Sequence, residues 1–140
     1  MIQIDEIRQL PRDIKLAGSA VQEAVLAGEN ITLLEKHSTA MWKVSLSGEP
    51  ILICGVVQES LLSDVFFWFM MCEGFTRKLK TSIRSCRDLV LELKERFPRL
   101  VTSVNVEDVA AHRFAKALRW KPEPTTYELM GTTYQQYRMN

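Results

Sequence analysis

The sequence predicts an α/β domain built on a mixed sheet, and three observations predict it. Residues 65–71 are apolar at every position, as a strand buried on both faces requires. A helical repeat follows, with Leu79, Ile83, Cys86, Val90, Leu93 and Phe97 spaced by four, three, four, three and four. A short strand, residues 100–104, begins just after Pro98 stops that helix. Strand, helix and strand in this order form a right-handed parallel crossover.

The other elements fit around that unit. Residues 12–27 predict a helix, with Ile14, Ala17, Val21, Ala24 and Val25 on one face and Gly28 at its end. Pro11 separates it from a short opening turn over 5–10. Residues 31–34 read as a short apolar strand. Residues 41–46 alternate, with Trp42, Val44 and Leu46 opposite Lys43 and Ser45. Ser47-Gly48-Glu49-Pro50 is turn chemistry and makes a hairpin with a strand over 51–57. Residues 60–63 form the next turn. Asn105, with Asp108 three residues later, reads as a helix start resembling a capping box. Val109, Ala110, Phe114, Ala117 and Leu118 supply the apolar face of that helix, and Pro122 and Pro124 end it. Residues 125–130 and 133–137 flank Gly131 as a closing pair of strands. There is no repeat or linker, so residues 1–140 read as one domain.

Composition narrows the function. Lys plus Arg is 18 and Asp plus Glu is 17, a balance that argues against nucleic acid or a membrane surface held by bulk charge. Three separated cysteines give neither a disulfide framework nor a zinc motif, and read as reduced thiols of a cytoplasmic protein. Two histidines, His37 and His112, do not make a multi-histidine metal centre, so no metal is expected. The acidic first six residues are not a signal peptide. Glu59 and Asp64 interrupt the apolar stretch 51–71, so it reads as strands and not as a membrane span.

Two adjacent parallel strands open a crevice at their carboxyl ends, where α/β sheets bind ligands. At the amino end of the long helix stand Arg77, Lys78, Lys80 and Arg84. Cations there oppose the helix dipole. The cluster is either a solvated basic helix end or a site for an anionic partner. Glu59, Asp64 and Glu73 flank the central strands as candidate general bases, though carboxylates at strand ends also serve structure. Cys72 ends a strand with no basic partner nearby in sequence, and His112 beside Arg113 reads as solvated.

The segment 103–122, running from Ser103-Val104-Asn105 to Leu118-Arg119-Trp120, resembles the strand, Asn, helix and Leu-Gly-Phe segment of the acyl-CoA N-acyltransferase (GNAT) superfamily. Arg119-Trp120 stands where Gly-Phe is usual, and the likeness covers roughly residues 41–130. It implies a mixed sheet of about six to seven strands with a splayed parallel central pair and about three to four flanking helices. It implies acetyl-CoA or CoA as cofactor. Backbone at Met70, Met71 and Cys72 would pair with pantetheine, and Arg77, Lys78, Lys80, Thr81 and Ser82 would meet the pyrophosphate, with Asn105 as cap and ligand. Lys80 and Ser82 replace the two small residues of the phosphate loop. Ala115, or Phe114 after a one-residue slip, replaces the tyrosine that protonates the departing thiolate.

The chain length, the hairpin 44–50, the basic start of the long helix and its end Leu93-Lys94-Glu95-Arg96-Phe97 also resemble GNAT-like internal virion proteins of short-tailed bacteriophages. That likeness implies phage structural proteins as partners, and association with a virion in the host cytoplasm. Two readings result: a degenerate GNAT-fold phage protein acting in virion assembly or partner binding, or an N-acyltransferase moving an acetyl or acyl group from acyl-CoA to an amine.

Overall fold

The computed structural model describes residues 2–11, 35–129 and 131–139. The expected helix 12–27 and strand 31–34 lie outside the described residues.

Seven strands form one mixed sheet: β1 (Ile2–Ile7), β2 (Ala40–Leu46), β3 (Glu49–Val57), β4 (Val65–Met71), β5 (Leu100–Asn105), β6 (Lys121–Leu129) and β7 (Thr132–Arg138). Their spatial order is β1-β2-β3-β4-β5-β7-β6. β4 and β5 are parallel and every other adjacent pair is antiparallel. Three helices follow β4 and β5: α1 (Glu73–Arg77), α2 (Leu79–Arg96) and α3 (Val109–Ala117). The parallel pair is the crossover that the apolar run, the helical repeat and the strand after Pro98 predict.

Alternation along β4 sorts the core into two layers. Val65, Phe67 and Met71 join Leu100 and Val104 of β5 in one cluster with Cys86, Leu89, Val90 and Leu93 of α2 and Ala111, Phe114 and Ala115 of α3. Trp68 and Cys72 belong to a second cluster with Leu10, Met41 and Ile53. Gly55 makes room for Trp68, since a Cβ at Gly55 would lie 2.6 Å from the indole.

Several boundaries differ from expectation. Where a turn is expected over 5–10, residues 2–7 form the edge strand β1, in register from Ile2↔Leu46 to Ile7↔Met41. The first hairpin turn is tighter than the four-residue reading. Ser47 (φ 51°) and Gly48 (φ 81°) make it alone, and Glu49 already opens β3. The long helix is preceded by a separate short helix, α1. Asp108 caps α3, its carboxylate accepting from Ala111 N–H at 3.0 Å, while Asn105 Oδ1 accepts from Glu107 N–H in the preceding turn. The buried face of α3 uses Ala111 and Ala115, and Val109 is 61% exposed. α3 ends at Ala117, before the prolines, and Arg119 (φ 69°) makes the turn. Pro122 and Pro124 sit in the outer strand β6, whose register shifts between Pro122 and Thr126. An edge strand tolerates residues that lack an N–H.

Candidate functional site

The site is a fork in the middle of the sheet. β4 and β5 pair only at Val65↔Leu100 and Phe66↔Val101. Thr102, 1% exposed, gives the last tie, its hydroxyl donating to the Phe67 carbonyl at 2.6 Å. Beyond that point Trp68 to Met71 have no ladder partner on β5. Backbone groups of successive strand residues face opposite neighbours. Val65 N–H donates towards β5, to Arg99 O, and Cys72 N–H donates to Ile51 O of β3. Counting between them turns the N–H and C=O of Phe69 and Met71 into the fork, and those of Met70 towards β3. Of the three residues expected to present backbone, Met71 therefore faces the opening. Met70 and Cys72 are engaged on the β3 side, and Phe69 is the edge residue the sequence reading missed. The parity of one anchored strand residue supplies that signal.

Aromatic rings wall the fork on the helical side. Phe114 of α3, 2% exposed, meets Phe69 at 4.8 Å and Phe75 at 5.0 Å, both edge-on. Phe67 stacks on Trp120. Neither Phe114 nor its neighbour Ala115 carries an exchangeable side-chain proton.

The amino end of α2 lies at the mouth. Lys78 occupies its N-cap position, no side chain caps it, and its first turn holds no acidic residue. The first amides of any helix lack intrahelical acceptors. Lys80, Thr81 and Arg84 are exposed. Ser82 is fully buried, and its hydroxyl has no hydrogen-bond partner among the described residues. Two cations of this cluster, Arg77 and Lys78, are not simply solvated. Arg77 donates to the Glu49 carboxylate, which lies 3.8 Å from Lys78 Nζ, and Lys78 Nζ also reaches Leu46 O at 3.4 Å. The Arg77 hydrogen bond holds the Glu49 carboxyl below the usual carboxylate range.

The three candidate bases separate. Glu73 opens α1 at the mouth. Asp64 immediately precedes β4 and Glu59 lies in the β3–β4 connection, so both sit at the opposite end of the strand. At about 3.3 Å per residue, Asp64 is roughly 17 Å along the chain from Phe69. Neither Glu59 nor Asp64 is placed to act as a base at the fork. Asp64 instead accepts two hydrogen bonds from Arg138, at 3.2 and 3.0 Å, and Arg138 also donates to Glu123 at 2.7 Å.

Of two further residues singled out in the sequence, Cys72 is as inert as its lack of a basic partner implies, and His112 departs from expectation. Cys72 is 1% exposed, and burial pushes its thiol up to about 12, which leaves no thiolate for nucleophilic attack. His112 is not a solvated side chain, because its Nδ1 lies 2.7 Å from the hydroxyl of buried Tyr137. Residues 112 and 114 point to different sides of α3, so this pair sits towards β7, away from the ring that walls the fork. Among the described residues no group of three or more His, Cys, Asp or Glu side chains is arranged to hold a metal. Among them, too, no helix is long and apolar enough to cross a membrane.

No family model matches the sequence, and no curated protein matches it. Solved structures do match in fold. A GNAT family acetyltransferase from Elizabethkingia anophelis with acetyl-CoA bound is similar at TM-score 0.69 and 12% identity, over 99% of this chain and 97% of that one. An acetyltransferase from Bacillus subtilis in complex with CoA is similar at TM-score 0.69 and 5% identity, over 100% and 99%. An IAA acetyltransferase from Bacillus cereus is similar at TM-score 0.68 and 11% identity, over 99% of both chains. The fold is that of the GNAT acetyltransferases.

Proposed function

We propose that the fork takes acyl-CoA and that the chain transfers the acyl group to an amine. The observation that carries this reading is the parting of β4 and β5 after Phe66 and Val101. It leaves Phe69 and Met71 with strand-edge backbone groups for an amide-bearing arm such as pantetheine. Arg77, Lys78, Lys80, Thr81 and Ser82 stand at the mouth for the pyrophosphate end, where free helix amides and an unpartnered buried hydroxyl suit anionic oxygens. Asn105 ends β5 on the other arm of the fork. When bound, the thioester supplies an activated acyl carbon. The chain's own part is to align it and keep the arm extended. With Phe114 and Ala115 inert, the attacking amine gives up its proton to water and the departing thiolate takes one from water, which makes turnover slow. Residues 1–140 act in this reading as one domain in the cytoplasm.

The absence of a proton donor at Phe114 and Ala115 favours a second reading, in which the fork binds the cofactor without turnover and the chain serves as a partner-binding module. The similar structures named above are acetyltransferases and lend no support to a virion role. Calorimetric titration with acetyl-CoA, paired with a thiol-release assay over a panel of amines, tests both. Saturable micromolar binding with amine-dependent thiol release supports transfer. Binding without release supports the second reading. No heat at millimolar acetyl-CoA overturns both.

A further inference from the structure

The cationic mouth is already occupied by an anion that belongs to the chain. Glu49 enters β3 from the tight turn at Ser47 and Gly48, and the antiparallel pairing Leu52↔Met71 puts it past the carboxyl end of β4. Its carboxylate takes the Arg77 guanidinium on one oxygen and faces Lys78 Nζ at 3.8 Å with the other. Glu49 lies where a side chain on residue 74 would crowd it. A Cβ built on Gly74 would lie 2.5 Å from Glu49 Oε1 and 2.9 Å from its Cδ and Cγ. Gly74 lies inside α1 without a positive φ, so no backbone need for glycine is evident there. The missing side chain serves the carboxylate.

We propose that Glu49 is an internal latch: it holds Arg77 and Lys78 until a phosphate-type anion displaces it, and so weakens the hold of the mouth on such anions. The inference rests on the cofactor reading above for the identity of the natural ligand. The latch is displaceable by construction. The Arg77 and Glu49 side chains are 62% and 31% exposed, so water compensates the carboxylate when it swings away. The cations then turn to the incoming oxygens without moving the backbone of α1 or α2.

The test is calorimetry of the full chain with CoA and, separately, with inorganic pyrophosphate, on the wild type, Glu49→Gln and Gly74→Ala. Glu49→Gln removes the competing charge. Gly74→Ala expels the carboxylate sterically while favouring the helix, and it keeps the test alive if the first variant folds poorly. Each variant is expected to bind the anion about three- to fivefold tighter, the scale of losing one exposed ion pair. Tighter pyrophosphate binding in both variants with no CoA binding anywhere upholds the latch and sinks the cofactor reading. Equal CoA affinity in all three proteins upholds the cofactor and overturns the latch. Weaker binding in the variants, or none of either probe at millimolar concentration, overturns the latch as well.

Discussion

Replacing Phe114 tests the wall of the fork. The ring is 2% exposed and meets two others edge-on, at 4.8 Å to Phe69 and 5.0 Å to Phe75. Truncation to alanine removes the ring and leaves a cavity between α3, α1 and β4, a loss of about 3–5 kcal/mol. Leucine keeps most of the volume and gives up the two edge contacts, each about 0.5–1.5 kcal/mol, so it costs about 1–3 kcal/mol. For a chain of this length each kcal/mol lowers the melting temperature by roughly 3–4 °C. The alanine variant then melts about 10–20 °C lower and the leucine variant about 3–12 °C lower. Urea denaturation followed by tryptophan fluorescence measures the free energy directly, and Trp120, stacked on Phe67, reports from the same cluster. An alanine variant that loses less than about 1 kcal/mol would refute the reasoning. Phe114 would then not be enclosed by Phe69 and Phe75, and the wall assigned to it would be misplaced.

At the other end of β4, Asp64→Asn is expected to cost about 0.5–1 kcal/mol at pH 7 in urea denaturation. Because Arg138 depresses the Asp64 pKa in the folded state, that stability is present at neutral pH and lost as the pH falls through the folded value. The gap between variant and wild type should therefore close as the pH falls below about 4, the ordinary aspartate value, and a gap that stays constant on acidification would show that the pair contributes nothing. The buried thiols give a third expectation: Cys72 and Cys86, pushed up to about 12, and Cys54, raised well above the usual thiol range by burial, stay unlabelled by iodoacetamide at pH 8 in the native protein. Mass spectrometry should find all three labelled in guanidinium, and rapid native labelling of Cys72 would contradict its burial.

The parts of the fold that are legible in the sequence are those buried on a regular period. β4 is read to the residue, because a strand covered on both faces has no polar position to blur its ends. The heart of α2 is legible for the same reason, through Cys86, Val90 and Leu93. β1 is not, since an edge strand with Ile2 and Ile4 both exposed needs no buried face to signal it. In the site, the oddity of cations at a helix start is visible, but its resolution is not. Glu49 is 28 residues from Arg77, and only the β3–β4 register brings them together. His112 and Tyr137, 25 residues apart, meet through the β5–β7 pairing in the same way. Asn105 and Asp108 show the limit of local reading. Both are good caps, and the chain uses one for the turn and the other for α3.

The two ends of the parallel pair are held in opposite ways, and the contrast gives the fork its chemistry. At the closed end Asp64, Arg138 and Glu123 bind the start of β4 to the end of β7 and to β6, and Arg99 NηH donates to Leu62 O beside them. Thr102 makes the last crossing tie, to Phe67 O. Past it, no strand among the described residues takes up the backbone donors and acceptors of Phe69 and Met71, which lie beside the Phe69–Phe114 ring pair. An unpaired strand edge leaves a demand for a strand-like partner, met by water until one arrives. Any extended amide chain would meet that demand. The cations that Glu49 holds at the mouth add the second requirement, an anionic group about one strand-end beyond the last edge residue. On the proposed cofactor reading, an amide arm with a phosphate tail meets both, and a ligand with only one of the two should bind more weakly than one that carries both.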